Sequence, residues 1–251
     1  MAEHESSSSP RPQGIDVLEH GAERDGKPQV MNRRLFMQLL VFEVNRESSP
    51  DATARALHGL ATARRVPSVI YADLHDPRAF GFLSWSEDPA HFVDAVRPLF
   101  CDSSLGAIVM RPELAMLGRT YSSGHEPDLA YWLLDRPRET ALNSEWPWAL
   151  WYPLRRSGAF ARLDPREQGK ILREHGVIGR TYAEKDLAHD IRLACHGLDR
   201  NDNEFVIGLI GKSLQPLSHV VETMRKTRQT SEFIVQMGPF FVGRAVSRVG
   251  L

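Results

Sequence analysis

Cysteine is nearly missing from this chain: Cys101 and Cys195 are the only two among 251 residues. They lie far apart and in no CxxC or metal-ligand spacing, which argues against a disulfide framework or a thiolate zinc site. Excess charge of either sign is missing too. Lys and Arg number 31 and Asp and Glu 32, a formal net charge of −1. Such a balance gives no field that would gather nucleic acid or an anionic membrane surface. No apolar run approaches the roughly 18 residues of a membrane span. The opening MAEHESSSSPRPQG has neither the basic nor the apolar region of a secretory signal. These absences predict a cytoplasmic protein with no nucleic-acid partner and no membrane span.

What is present is ordinary globular material, 42% hydrophobic and 25% charged, enough for one large core or two small ones. Residues 1–30 are rich in Ser, Pro, Gly, Glu and Arg. They bury too little to offset their ordering entropy and are expected to form a flexible tail. From Arg33 the texture changes. Residues 33–44 read as a strand, 51–64 as a helix capped by Asp51, and 66–74 and 78–85 as two strands around a turn. Residues 88–100 read as a helix with Asp88 as cap and Pro89 at N1, and 106–117 as a strand. A polar, Pro-rich stretch follows over about 119–146. Then the order recurs. A strand over 147–156 precedes a helix over 163–176, capped by Asp164 and closed by Gly176. Strands over 189–195 and 203–211, a helix over 213–227 and one or two strands over 231–246 complete the chain.

Both halves follow β-α-β-β-α-β, the ferredoxin-like order. The expected fold class is α+β: two ferredoxin-like halves, residues 31–145 and 146–251, joined as a dimeric α+β barrel within one chain. Two independent ferredoxin-like domains are the alternative.

Four segments of the second half carry a family resemblance. Trp151-Tyr152-Pro153-Leu154-Arg155-Arg156 is similar to a Tyr-Pro-hydrophobic-x-Arg/Lys segment. Glu174-His175-Gly176-Val177-Ile178-Gly179-Arg180-Thr181-Tyr182 is the strongest match. Gly197-Leu198-Asp199 with its following strand is the third. Met224-Arg225, with Thr230 and the closing Gly-Pro-Phe-Phe-Val-Gly, is the fourth. Over roughly residues 146–246 the chain resembles a divergent subgroup of the chlorite dismutase and coproheme decarboxylase superfamily. The first half matches only in its order of elements.

The resemblance implies a role for each of these residues. His175 would be the axial ligand of the iron in heme b or iron coproporphyrin III, a task suited to neutral imidazole. Without the flanking motif, a histidine at a helix end more often serves the last carbonyls. Tyr152 matches the redox-active tyrosine of coproheme decarboxylases. Oxidised iron takes an electron and a proton from that tyrosine, and the resulting radical abstracts hydrogen from a propionate, which then loses carbon dioxide and leaves a vinyl group. Read alone, Tyr152 is a buried aromatic on a strand. Arg156 and Arg225 match positions that hold propionates, which guanidinium groups bind in a bidentate manner. Thr230 would add a hydrogen bond, and Leu154 and Ile178 would line the porphyrin. The implied partners are a porphyrin and a small oxidant such as hydrogen peroxide, in a homo-oligomer with a pentamer favoured.

Three positions depart from the family pattern. The distal arginine of chlorite dismutases falls on Asp190, which would serve as an acid-base group or bond to a neighbouring Arg or backbone. Arg192, two residues on, shares its face of the strand and takes the position if the register slips. Phe160 replaces an expected tryptophan, and Thr227 or Arg228 stands where an acidic partner of the axial histidine is expected. His125 is a loop residue, expected to be exposed. These departures rank peroxide-dependent coproheme decarboxylation first and chlorite dismutation second. A heme carrier or sensor without turnover is the third reading, and a barrel that has lost its metal site the fourth.

Overall fold

A computed structural model describes residues 14–250 of the chain. The short strands β1 (Glu19–His20) and β2 (Val30–Met31) pair with each other. The first half then runs β3 (Phe36–Val44), α1 (Pro50–Ala63), β4 (Ser68–Asp73), β5 (Ala79–Ser86), β6 (Ile108–Met110) and β7 (Met116–Arg119). A connecting helix, α2 (Arg136–Leu142), leads to the second half. That half runs β8 (Trp148–Arg156), α3 (Gly158–Ala161), α4 (Pro165–Glu184), β9 (His189–Ala194), β10 (Phe205–Gly211), α5 (Leu214–Arg225), β11 (Ile234–Met237) and β12 (Phe241–Val249).

One half orders its sheet β7-β3-β5-β4 and the other β12-β8-β10-β9. Counted within each half these are the same order, so the two units are topological copies. Their edges do not stay free. β4 pairs with β12 from Ser68↔Val249 to Asp73↔Gly243, and β7 meets β9 at Arg119↔Ala194. Both seams join the fourth strand of one unit to the second of the other and close the sheet into a barrel, which removes its edges. Two independent domains are excluded by these pairings.

Alternation along the strands sorts side chains to the two sides of that wall. Met37, Leu39 and Val41 of β3 point inward with Tyr71, Trp151 and Phe241. Phe42 and Val44 point outward under Leu57 and Ala61 of α1. In the second half Ala149 and Trp151 face the interior, while Leu150, Tyr152 and Leu154 face outward under Leu217, Val220 and Val221 of α5.

Several expectations need correction. Part of the expected tail is packed: Glu19 is buried and bonds Arg34, Arg119 and Ser122. Residues 1–13 of that expected tail lie outside the described residues. Ser49, not Asp51, caps α1. Residues 92–99 form irregular helical turns instead of one regular helix. The strand expected over 106–117 is split into β6 and β7 by a turn at Pro112–Leu114, because proline cannot donate to the ladder. The Pro-rich linker contains α2, anchored by Leu133, Leu134 and Ala141 in the main core. Most consequential, α4 does not stop at Gly176 but continues to Glu184. Ile178 and Tyr182 extend its apolar face beyond the glycine, and their packing outweighs the roughly 1 kcal/mol a helical glycine costs.

Candidate functional site

α4 starts cleanly because Asp164 accepts a hydrogen bond from the Arg166 N–H at 2.8 Å and Pro165 occupies the first turn. Ile171, His175, Ile178 and Tyr182 follow at spacings of three and four and share one face. Ile178 and Tyr182 pack against the outer face of the second-half sheet. His175 is therefore a mid-helix residue, not a C-terminal one, and the helix dipole does not act on it as an end charge.

His175 is half-buried and has a defined partner. The Thr227 hydroxyl donates to the Met224 carbonyl at 2.7 Å. Its oxygen is thereby left to accept from His175 Nδ1–H at 3.0 Å. That tautomer keeps a lone pair on Nε2, the nitrogen free for a metal. Thr227 is 1% exposed, and Thr230 Oγ1 lies 3.3 Å from its hydroxyl oxygen. Thr230 thus supports Thr227. Arg228 points elsewhere, pairing with Glu232 and Glu167.

Burial holds the His175 pKa below its ordinary value of 6.5; Glu174 opposes the shift and Arg192 adds to it. Linkage fixes the sign. In the window between the depressed value and 6.5 the unfolded chain binds more protons than the fold. The contribution of neutral His175 to stability is whole above 6.5 and is lost as pH falls through the depressed value. Urea midpoints are expected to drop as pH falls below 6.5, and to drop less in His175→Gln.

The sheet face beneath α4 and α5 is ordered by strand register. Tyr152, Ile207 and Arg192 form one row across β8, β10 and β9, and Leu150, Leu209 and Asp190 form the next. With strands about 4.8 Å apart, Tyr152 and Arg192 stand roughly 10 Å from each other with Ile207 between. Tyr152 is buried and its ring stacks on Phe240 at 4.5 Å between centroids. Burial pushes its phenol well above the ordinary value, Asp190 pushes the same way, and Arg225 opposes. Leu154 is buried beside it.

Asp190 and Arg192, the two alternatives for one position, both face the site and bind each other at 3.0 Å. Arg136 Nη2 donates to the second Asp190 oxygen at 2.7 Å. Burial alone would raise the Asp190 pKa. Attraction by Arg192 and Arg136, with the Arg136 hydrogen bond, outweighs burial and holds it below the ordinary value. Of the two roles expected for Asp190, bonding to neighbouring arginines is the one seen.

The two propionate candidates differ. Arg225 is exposed, and its Nη2 lies 3.9 Å from the Met237 thioether. Arg156 is already engaged: Nε donates to Glu204 at 3.1 Å, and the guanidinium lies 4.5 Å from the Phe160 ring and 4.6 Å from the Phe205 ring. Phe160 is buried there, and His125 is exposed in its loop. An open hollow lies along α4 against Lys170, Arg173, Glu174, Val177 and Ile178, and His175 is not among its lining residues.

Against this geometry, the sequence profile of the chlorite dismutase family matches residues 130–246. That match spans the second half of the chain and the connector before it. No curated protein matches it in sequence. A heme-binding protein from Thermus thermophilus has a similar structure, with a TM-score of 0.70, 16% identity, and coverage of 86% of this chain and 92% of that one. Chlorite dismutase from Candidatus Nitrospira defluvii, in complex with imidazole, gives a TM-score of 0.67 at 12% identity, covering 86% and 93%. At such identities these two establish the shared fold. The family resemblance pointed to His175 and Tyr152; it did not point to Arg136, which lies in the Pro-rich connector and gives no periodic signal. No helix among the described residues is long and apolar enough to cross a membrane.

Proposed function

We propose that this chain is a member of the chlorite dismutase superfamily, binds a heme-type iron porphyrin through His175 Nε2 and uses hydrogen peroxide to decarboxylate iron coproporphyrin III. The observation that carries this reading is the His175–Thr227 hydrogen bond, which fixes the tautomer a metal ligand needs. The residues present fit the group. A ligand nitrogen is free, Ile178 and Leu154 offer apolar walls, and Arg225 offers a propionate its exposed guanidinium. Arg156 would contribute only by exchanging Glu204 for a propionate. When bound, the iron supplies one-electron oxidation chemistry driven by peroxide.

The chain's own residues would orient and time that chemistry. Thr227 and Thr230 fix the imidazole. Tyr152 stays a protonated phenol, because burial disfavours its anion, and so keeps its Oη hydrogen until an oxidant demands both electron and proton. Asp190, ionised and doubly paired, contributes through its neighbours and not as a proton donor. Chlorite dismutation is the second reading, favoured by the guanidinium of Arg192 on the site face. Cytoplasmic location and a homo-oligomer, pentamer favoured, belong to the same proposal and are checked by fractionation and sedimentation.

The deciding experiment loads the protein with iron coproporphyrin III, adds peroxide and follows product mass. A vinyl-bearing product is expected from wild type and none from Tyr152→Phe. Oxygen release from chlorite without that product would favour the second reading. Thr227→Val should weaken porphyrin binding roughly ten- to a hundredfold, the usual cost of losing an outer partner of a ligating histidine. Thr227→Ser should largely restore it, as read by absorbance titration.

A further inference from the structure

Asp190 stands at the centre of an ion cluster whose purpose the proposed reaction leaves open. Arg136 grips it twice, donating from Nη2 to Oδ1 at 2.7 Å and from Nη1 to the backbone carbonyl at 2.8 Å. Arg136 is itself fixed over the Trp132 ring at 4.7 Å. The remaining carboxylate oxygen meets Arg192 Nε at 3.0 Å. A second carboxylate, Glu126, is 5% exposed and accepts bonds from Ser123 and His125. Its charge acts on Arg192 as well. Two guanidinium groups and two carboxylates therefore share this wall, and their formal charges cancel. Tyr121, another titratable neighbour of Arg192, is kept neutral by burial.

A lone guanidinium in a concave wall is an anion site, with five donors in a fixed fork. Here the fork is already facing a carboxylate. An incoming anion would meet a guanidinium whose Nε already faces Asp190 and whose charge that carboxylate offsets, and Arg136 holds Asp190 through both its side chain and its backbone. A neutral molecule meets no such competition. We infer that Asp190 is a specificity residue: clamped by Arg136, it offsets the charge of Arg192 and makes the site admit a neutral oxidant such as hydrogen peroxide in preference to a small anion. This rests on the site being a porphyrin pocket and argues against chlorite as its substrate.

The test has a loaded and a heme-free arm. In hemin-loaded protein, azide and imidazole are titrated by absorbance against wild type, Asp190→Asn and Asp190→Asn/Arg192→Gln. Azide affinity is expected to rise roughly ten- to a hundredfold in Asp190→Asn, the size of one charge-assisted hydrogen bond. It should fall back in the double variant, and imidazole affinity should not change. In heme-free protein the Arg192 Nε–Hε resonance, assigned by its loss in Arg192→Gln, should ignore nitrate in wild type and move in Asp190→Asn. Should Asp190→Asn fail to fold, Arg136→Gln loosens the same clamp and should shift both readouts in the same direction by less. Equal azide affinity in wild type and the Asp190 variant overturns the inference, as does a wild-type Arg192 signal that follows nitrate. If wild type binds no hemin, the porphyrin reading fails by itself and the nitrate arm still decides whether the clamp exists.

Discussion

His175→Ala is expected to lose iron-porphyrin affinity by more than about a hundredfold, beyond the tenfold to hundredfold of an outer partner. The imidazole has a metal-binding nitrogen left open by its own hydrogen bond to Thr227. Removing it deletes the iron ligand but leaves the apolar walls, so weak binding through the macrocycle persists with an altered absorbance maximum. Added imidazole should restore the wild-type spectrum in His175→Gly, because the space vacated is the shape of the missing ring. The fold should survive either change, since a half-buried position on α4 carries little of the core. If the wild-type and Ala spectra coincide after titration, the iron is held elsewhere and the proposed function falls with it.

The architecture was largely legible because strand and helix periods differ. The runs around Leu39, Ile70, Phe82, Trp151 and Leu209 alternate or stay apolar over strand lengths, while Leu217, Val220, Val221 and Met224 recur at helical spacing. Barrel closure was reached by resemblance and element order, since no local pattern dictates that β4 pairs with β12. The errors have physical causes. Gly176 looked like a helix end because glycine so often is one, yet Ile178 and Tyr182 continued the buried face past it. α2 was hidden because its anchors, Leu133, Leu134 and Ala141, are separated by Arg and Pro residues that dominate the local composition. Arg136 escaped for the same reason: an arginine becomes informative only when its carboxylate partner, 54 positions away, is brought to it. The site was legible at His175 and Tyr152, where a motif existed, and not at the ion cluster, which only tertiary structure assembles.

Gly208→Val is expected to destabilise the protein by about 3 kcal/mol or more, at the upper end of overpacking costs. Gly208 sits on β10 directly opposite Trp151 on β8. A Cβ there would lie 2.6 Å from two carbons of the indole ring, far inside van der Waals contact. The ring cannot retreat. Trp151 is 1% exposed inside a closed barrel, and on the far side Tyr71 and Phe241 pack edge to face at 6.2 Å between centroids. The better strand propensity of valine returns at most about 1 kcal/mol. Denaturant melts should therefore show the loss, and the double variant Gly208→Val/Trp151→Leu should recover part of it, a coupling readable in a double-mutant cycle. The same strand pair carries the site. Ile207, next to Gly208, is the middle of the row that sets Tyr152 against Arg192. Strain that parts β8 from β10 should thus lower porphyrin affinity together with stability. A Gly208→Val protein that melts and binds like wild type would mean the barrel interior has room the Trp151 contact denies, and the link between core packing and site geometry would be broken.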